Sequence, residues 1–139
     1  MIGKNKAFLM QSTGNEEQIG MAEPQLATTF TNATFTGDYR VGPISLPVFG
    51  AGLSQGIFAL DGVGNFTATE DVNDLAGPTQ VTFGGTYSVA GNGRTLLTVT
   101  SPETFHYVAY PVSSSRLIGI SIEPIQSGES TALLTSLDK

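Results

Sequence analysis

The chain has no cysteine, no tryptophan and a single histidine, and its six lysine and arginine residues are outnumbered by twelve aspartate and glutamate residues. The absence of cysteine excludes disulfide bridges and thiolate zinc sites. The net charge of −6 argues against nucleic acid as a partner, because phosphate binding needs clustered basic side chains. No apolar run approaches the roughly 20 residues of a membrane-spanning helix, so we expect no membrane insertion.

The chain instead has the composition of strands and tight turns, with 17 glycines and 40% hydrophobic residues. Polar and apolar residues alternate along most of it, which is the period of a β-strand. Turn-forming residues separate most of the alternating segments, as in Asp61-Gly62-Val63-Gly64-Asn65. We predict ten strands near residues 6–13, 17–24, 36–42, 51–60, 64–71, 79–90, 93–101, 103–112, 115–123 and 128–137.

Hairpins that follow one another at even spacing predict an all-β fold, an antiparallel up-and-down barrel of the lipocalin-like kind. The eight strands from 36 to 137 are enough to close it. Gly84-Gly85 interrupts one strand and predicts a bulge, which helps a sheet to curl. We expect bulky apolar side chains such as Phe66, Phe83 and Ile120 to face inward.

The first hairpin of the chain resembles the last. Lys6 opens one and Arg116 the other, and each has apolar residues two apart followed by a polar turn. We predict that residues 1–26 are a duplicated hairpin from a preceding repeat and that residues 27–139 are a complete barrel, with residues 26–35 as connector. The extra hairpin could extend the barrel to ten strands, pack outside it, or replace its twin in a second copy, which would give a homodimer by hairpin exchange.

Six short motifs carry a resemblance to a known family. They are Gly37-Asp38-Tyr39, Asp61-Gly62-Val63-Gly64-Asn65, Asp71-Val72-Asn73-Asp74, Gly85-Thr86-Tyr87-Ser88-Val89, Asn92-Gly93-Arg94 and Val112-Ser113-Ser114. With them, residues 36–137 resemble a tandem-repeated extracellular domain of large acidobacterial proteins, a lipocalin- or calycin-like β-barrel. The resemblance implies the barrel fold, an origin in an array of repeats and a location outside the cell or on its surface. It implies no particular activity.

One motif has the spacing of a serine hydrolase. Gly52-Leu53-Ser54-Gln55-Gly56 fits G-x-S-x-G, and the only histidine, His106, follows it in the chain, with acidic residues between them such as Asp71 or Asp74. A nucleophilic Ser needs a His base and a carboxylate that orients it. The usual setting of the motif is a strand–turn–helix, whereas residues 57–60 read as strand, so a chance match in a Gly- and Ser-rich chain is the competing interpretation.

Aromatic residues on neighbouring strands predict either a filled barrel or a pocket for a small apolar molecule. The candidate ligand-binding residues are Phe58, Phe66, Phe83, Tyr87, Tyr107 and Tyr110.

Oxygen-rich stretches at 61–65 and 70–74 could attract calcium, but neither has the spacing of a calcium loop. We interpret the first as a hairpin turn and the second as a solvated loop, and we predict no metal and no cofactor. Arg40, Arg94 and Arg116 could hold an anion at a barrel mouth, but we interpret them as surface charges.

Together these features predict a non-enzymatic β-barrel module of a secreted or surface bacterial protein, which could bind a small apolar ligand inside the barrel. The first alternative is a small esterase-like serine hydrolase that uses Ser54, His106 and Asp71. The second is a carbohydrate- or calcium-dependent adhesion module.

Overall fold

Strands and short turns make up the described part of the chain, as the alternating pattern predicts. The computed structural model describes residues 7–13, 16–22, 24–25, 29–43, 53–74, 76–101, 104–122 and 134–139. A single turn of 3-10 helix, Asn32–Thr34, precedes the third strand. The strands are β1 Ala7–Thr13, β2 Glu16–Ala22, β3 Thr36–Pro43, β4 Leu53–Asp61, β5 Asn65–Asp74, β6 Gly77–Val89, β7 Thr95–Ser101, β8 Phe105–Ser113, β9 Arg116–Ser121 and β10 Leu134–Asp138.

Eight of these strands close into a barrel in the order β10-β3-β4-β5-β6-β7-β8-β9. Strands adjacent in the chain are antiparallel neighbours from β3 to β10, and β10 closes the barrel by pairing with both β9 and β3. Closure leaves no unpaired sheet edge in the barrel. The prediction of an all-β, antiparallel, lipocalin-like up-and-down barrel is confirmed.

Strands β1 and β2 form a separate two-stranded sheet. The barrel therefore does not extend to ten strands, which was one of the three arrangements open for the first hairpin. Its origin in a preceding repeat stays a prediction.

Two irregularities bend the barrel wall. The pairing of β6 with β7 shifts between Gly84 and Gly85, which confirms the predicted bulge. A Cβ atom on Gly85 would overlap the backbone of Thr98, so only glycine fits there. The second shift lies between Pro111 and Ser113, where β8 pairs with β9. Proline lacks the amide hydrogen that a regular ladder needs, and a bulge is one of the few places in a sheet that tolerates it.

Alternate residues of the barrel strands form one continuous interior. The buried apolar side chains of the barrel core include Tyr39, Val41, Phe58, Leu60, Phe66, Ala68, Tyr87, Leu97, Val99, Ala109, Leu117 and Leu137. Phe83 is partly buried against this core. As predicted, the interior is lined by bulky apolar side chains.

The prediction for Ile120 was wrong. Leu117 is 1% exposed and belongs to the core, whereas Ile120 is 39% exposed on the opposite face of β9. A strand with apolar residues on both faces has two acceptable orientations by pattern alone, and its register with β8 and β10 decides between them.

One end of the barrel, which we call the sealed end, is filled by the segment that leads into β3. Phe30 and Phe35 are both buried, with stacked rings whose centroids are 6.1 Å apart. The Tyr87 hydroxyl donates to the carbonyl of Phe35 at 2.8 Å and accepts from the amide of Gly62 at 2.8 Å. This part of the predicted connector therefore completes the core, and its role in joining two repeats stays a prediction.

Candidate functional site

A small cavity lies inside the barrel toward the opposite end, where β3 leaves the barrel and β4 enters it; we call this the cavity end. Its volume is about 20 Å³, enough for one group the size of a water molecule. The wall combines apolar side chains with the polar groups of Ser54, Glu70, Tyr107 and Thr135. The rest of the lining is Val41, Phe58, Leu97, Ala109, Gly119 and Leu137. Apolar side chains of the described core pack around this polar-lined space.

The pairing of β4 with β5 brings the polar groups together. Gly56 is directly opposite Glu70, and Ser54 is opposite Val72. Because alternate residues share a face, Ser54, Gly56 and Glu70 all lie on the inner face. A Cβ atom on Gly56 would overlap the backbone oxygen of Thr69 and lie 2.6 Å from Cγ of Glu70, so the glycine lets β4 pass close to this part of β5. Packing between β4 and β5 therefore explains the glycine at position 56 without the strained turn of a serine nucleophile.

The carboxyl group of Glu70 has lost much of its contact with water. Burial raises the pKa of Glu70, and hydrogen bonding with the Ser54 side chain offsets part of the rise. Burial also raises the pKa of Tyr107 to about 12, and the nearby Glu70 charge adds to this shift. A carboxyl and a phenol whose pKa values are both displaced inside one cavity are typical of a binding site.

The structure does not bring the predicted hydrolase residues together. Ser54 lines the cavity, whereas His106 lies on the opposite face of β8 from Tyr107, which also lines the cavity. Asp71 is exposed on the outer face of β5, where its Oδ1 accepts a hydrogen bond from Gln80 Nε2 at 3.0 Å. The barrel wall stands between the serine and its predicted base, so the geometry gives no support to the triad.

Five of the six aromatic residues predicted to bind a ligand belong to the interior or pack against it. Phe58 and Tyr107 line the cavity. Phe66 stacks on Phe58 with ring centroids 5.3 Å apart, and Phe83 contacts Phe58 edge-on at 5.4 Å. Tyr87 is buried at the sealed end, away from the cavity.

The sixth of these aromatic residues, Tyr110, does not line the cavity. Its side chain is 50% exposed, and it alternates with Ala109, which lines the cavity. Tyr110 therefore lies on the outer face of β8.

The stretch at 61–65 is a hairpin turn, as interpreted from its glycines. Asp61 Oδ1 accepts hydrogen bonds from the amides of Val63, Gly64 and Asn65 at 2.8–2.9 Å. Gly62 and Gly64 have positive φ angles of 81° and 125°. Hydrogen bonds from the Asn65 side chain and then from the backbone lower the pKa of Asp61. Both oxygens of the Asp61 carboxylate thus accept hydrogen bonds within the turn.

The prediction of a solvated loop at 70–74 was wrong. These residues form the second half of strand β5. The alternation of Phe66 and Ala68 on the inner face continues to Glu70, so this residue points inward while Asp71 points outward. Within the part of the chain that the structure describes, there is no group of three or more His, Cys, Asp or Glu residues that could hold a metal ion.

Sequence reasoning missed Glu70 and Thr135 as site residues. The signal for Glu70 was available, because it continues the inward alternation of Phe66 and Ala68 two residues at a time. Thr135 had no such signal, because the strand that carries it, Leu134–Asp138, spans five residues and gives too little alternation to show its inner face.

The three arginines do not gather at the cavity. Arg40 and Arg94 are exposed, and Arg116 forms an ion pair with Asp138 at 3.3 Å. None of the three is among the residues that line the cavity.

No protein-family model, curated protein or solved structure matches the chain. Among the described residues, no helix has the length and apolar character that a membrane crossing requires.

Proposed function

We propose that this protein is a non-enzymatic binding barrel of a secreted or surface bacterial protein, and that its ligand is a small, mainly apolar molecule whose polar end enters the cavity. The observation that carries the proposal is the composition of the cavity wall. Most of its side chains are apolar, and Ser54, Glu70 and Thr135 add polar groups. Ligand sites commonly have this makeup, with apolar walls and a few polar groups that orient the ligand.

The size of the cavity limits what can be buried. About 20 Å³ accepts a head group but not a whole ligand, so most of the ligand would lie toward the cavity end. The extracellular or surface location rests on the family resemblance of residues 36–137. Exchange of the first hairpin between two copies remains a separate proposal, supported by the likeness of that hairpin to the last one.

Ligand binding can be tested by NMR titration of the full chain with a neutral probe, 1-hexanol. We expect saturable shifts of the amides of Ser54, Leu97 and Tyr107, which line the cavity. Gly119→Ala should weaken binding, because the added Cβ projects into the cavity 3.3 Å from Ala109. The matched control is Gly91→Ala, since a Cβ there meets nothing within 4 Å.

Two results would overturn the proposal. The first is the absence of saturable shifts at the cavity amides. The second is turnover of a short-chain nitrophenyl ester that is lost in both Ser54→Ala and His106→Ala, because that pattern belongs to a serine hydrolase.

A further inference from the structure

Among the described residues, the acidic group of the cavity, Glu70, has no basic side chain beside it in the lining. No lysine, arginine or histidine is among the described residues that line the cavity. Lys139 donates to the carbonyl of Thr36 at 2.8 Å and Arg116 pairs with Asp138, both at the sealed end. A carboxylate removed from water and left without a positive partner is unfavourable, and a cationic ligand would relieve that cost.

We propose that the cavity binds the ammonium head of a small primary alkylamine, with the Glu70 carboxylate as its counter-ion. This inference rests on the proposed function, since it names the chemistry of the ligand in the same cavity. The apolar tail would extend out of the cavity at the cavity end.

The geometry favours an ammonium over larger cations. A space of about 20 Å³ holds one water-sized group, which fits –NH₃⁺ and is too small for a guanidinium. An ammonium donates three hydrogen bonds, and the lining offers the carboxylate of Glu70 and the hydroxyl oxygens of Ser54 and Thr135 as acceptors. Thr135 Oγ1 donates its own hydrogen to the carbonyl of Gly42 at 2.9 Å, so it presents lone pairs to a ligand.

The net charge of the protein also favours a cationic ligand. The net charge of −6 attracts cations to the surface and repels anions. Tyr107 on β8 is the one other titratable side chain among the described lining residues, and its phenol stays neutral because burial raises its pKa to about 12. The lining residues from β3, β4, β7, β9 and β10 carry no titratable group in the described part of the chain.

The experiment compares three probes with the same six-carbon chain by isothermal titration calorimetry of the full-length protein at pH 8. Hexylammonium should bind about tenfold or more tightly than 1-hexanol, because a hydrogen-bonded charge pair replaces a neutral contact. Hexanoate should bind more weakly than 1-hexanol. Lowering the pH should weaken the binding of hexylammonium, since protonation of Glu70 removes its charge.

The test variant is Glu70→Gln, which keeps the shape of the side chain and removes the charge. It should remove the preference for hexylammonium over 1-hexanol, because the counter-ion of the ammonium is lost. The matched control is Asp38→Asn on the exposed outer face of β3, which should leave both affinities unchanged. Circular dichroism of each variant reports whether the barrel is folded.

The outcomes separate the two proposals. If 1-hexanol binds as tightly as hexylammonium, or if Glu70→Gln leaves hexylammonium binding unchanged, the ammonium inference fails and the apolar binding function survives. If none of the three probes binds, both fail. Lysine side chains carry the same head group, so Nα-acetyl-lysine methylamide is a fourth probe. Binding of that probe to the wild type and its loss in Glu70→Gln would support the ammonium site and identify lysine as a source of the head group.

Discussion

The two ends of the barrel interior differ in how their polar groups are used. At the sealed end, the Tyr87 hydroxyl has both a donor and an acceptor in the backbone, and Asp61 serves three amides of its own turn. At the cavity end, Glu70 lies in a largely apolar wall with a raised pKa. Satisfied polar groups stabilise a fold, whereas a partly desolvated carboxyl costs stability.

The largest effect should come from removing the aromatic plug of the sealed end. Phe35 is 0% exposed, so Phe35→Ala should lower the free energy of unfolding by about 3–5 kcal/mol through lost burial and a new cavity. Urea denaturation followed by circular dichroism measures it. The control is Ile57→Ala, since Ile57 is 51% exposed and should cost much less. Equal losses in the two variants would mean that the segment before β3 does not belong to the core.

A smaller loss should follow from removing one hydroxyl at the same end. Tyr87→Phe leaves the amide of Gly62 without its acceptor and the carbonyl of Phe35 without its donor. We expect a loss of about 1–3 kcal/mol in the free energy of unfolding, which is typical of buried polar groups left unpaired. Tyr110→Phe is the matched control, because Tyr110 is 50% exposed and should change little. Similar values for the two variants would contradict the hydrogen-bonded role of Tyr87.

At the cavity end, mutation of Glu70 should raise the free energy of unfolding at neutral pH instead of lowering it. Because the pKa of Glu70 is raised in the folded state, the folded barrel holds a proton that the unfolded chain releases first. The contribution of Glu70 is therefore fully present below the ordinary glutamate pKa and is lost as the pH rises through the raised, folded value. Glu70→Gln lacks this loss, so its stability relative to the wild type should increase from acidic to neutral pH.

Thermal unfolding across that pH range measures the difference. Asp38→Asn is the control, since this carboxylate is exposed on the outer face. If the difference in stability between Glu70→Gln and the wild type does not change with pH, the Glu70 carboxyl is well solvated in the folded protein. That result would contradict the difference proposed between the two ends of the barrel.

The smallest effect should come from deleting the first hairpin. Strands β1 and β2 form their own sheet, so a chain without residues 1–22 should keep the sheet signal in circular dichroism and nearly the same unfolding midpoint. Extending the deletion through residue 30 should lower the midpoint, because Gln25 Nε2 donates to the carbonyl of Pro111 at 3.3 Å and Phe30 is buried. Loss of the barrel on the shorter deletion would show that the hairpin is integral to the fold.

The candidate site was only partly accessible to sequence reasoning. Phe58 and Tyr107 were predicted to line a ligand pocket and they line the cavity, because alternation places each on the inner face of its strand. Ser54 was selected because it lies in a G-x-S-x-G motif. In this barrel Gly56 of that motif instead lets β4 pass close to the backbone of Thr69 and to Glu70 on β5. Chain order could not reveal that His106 lies on the other face of the wall from Ser54.

The sequence by itself determined the strands, the turns and the closed barrel, because alternation with period two and turn-forming residues such as Gly62 and Gly64 act over a few neighbouring positions. Only the tertiary structure decided which face of β9 is inside, that Phe30 and Phe35 seal one end, and that Glu70 meets Ser54 in a cavity. These features depend on register and packing between segments distant in the chain, which a local pattern does not specify.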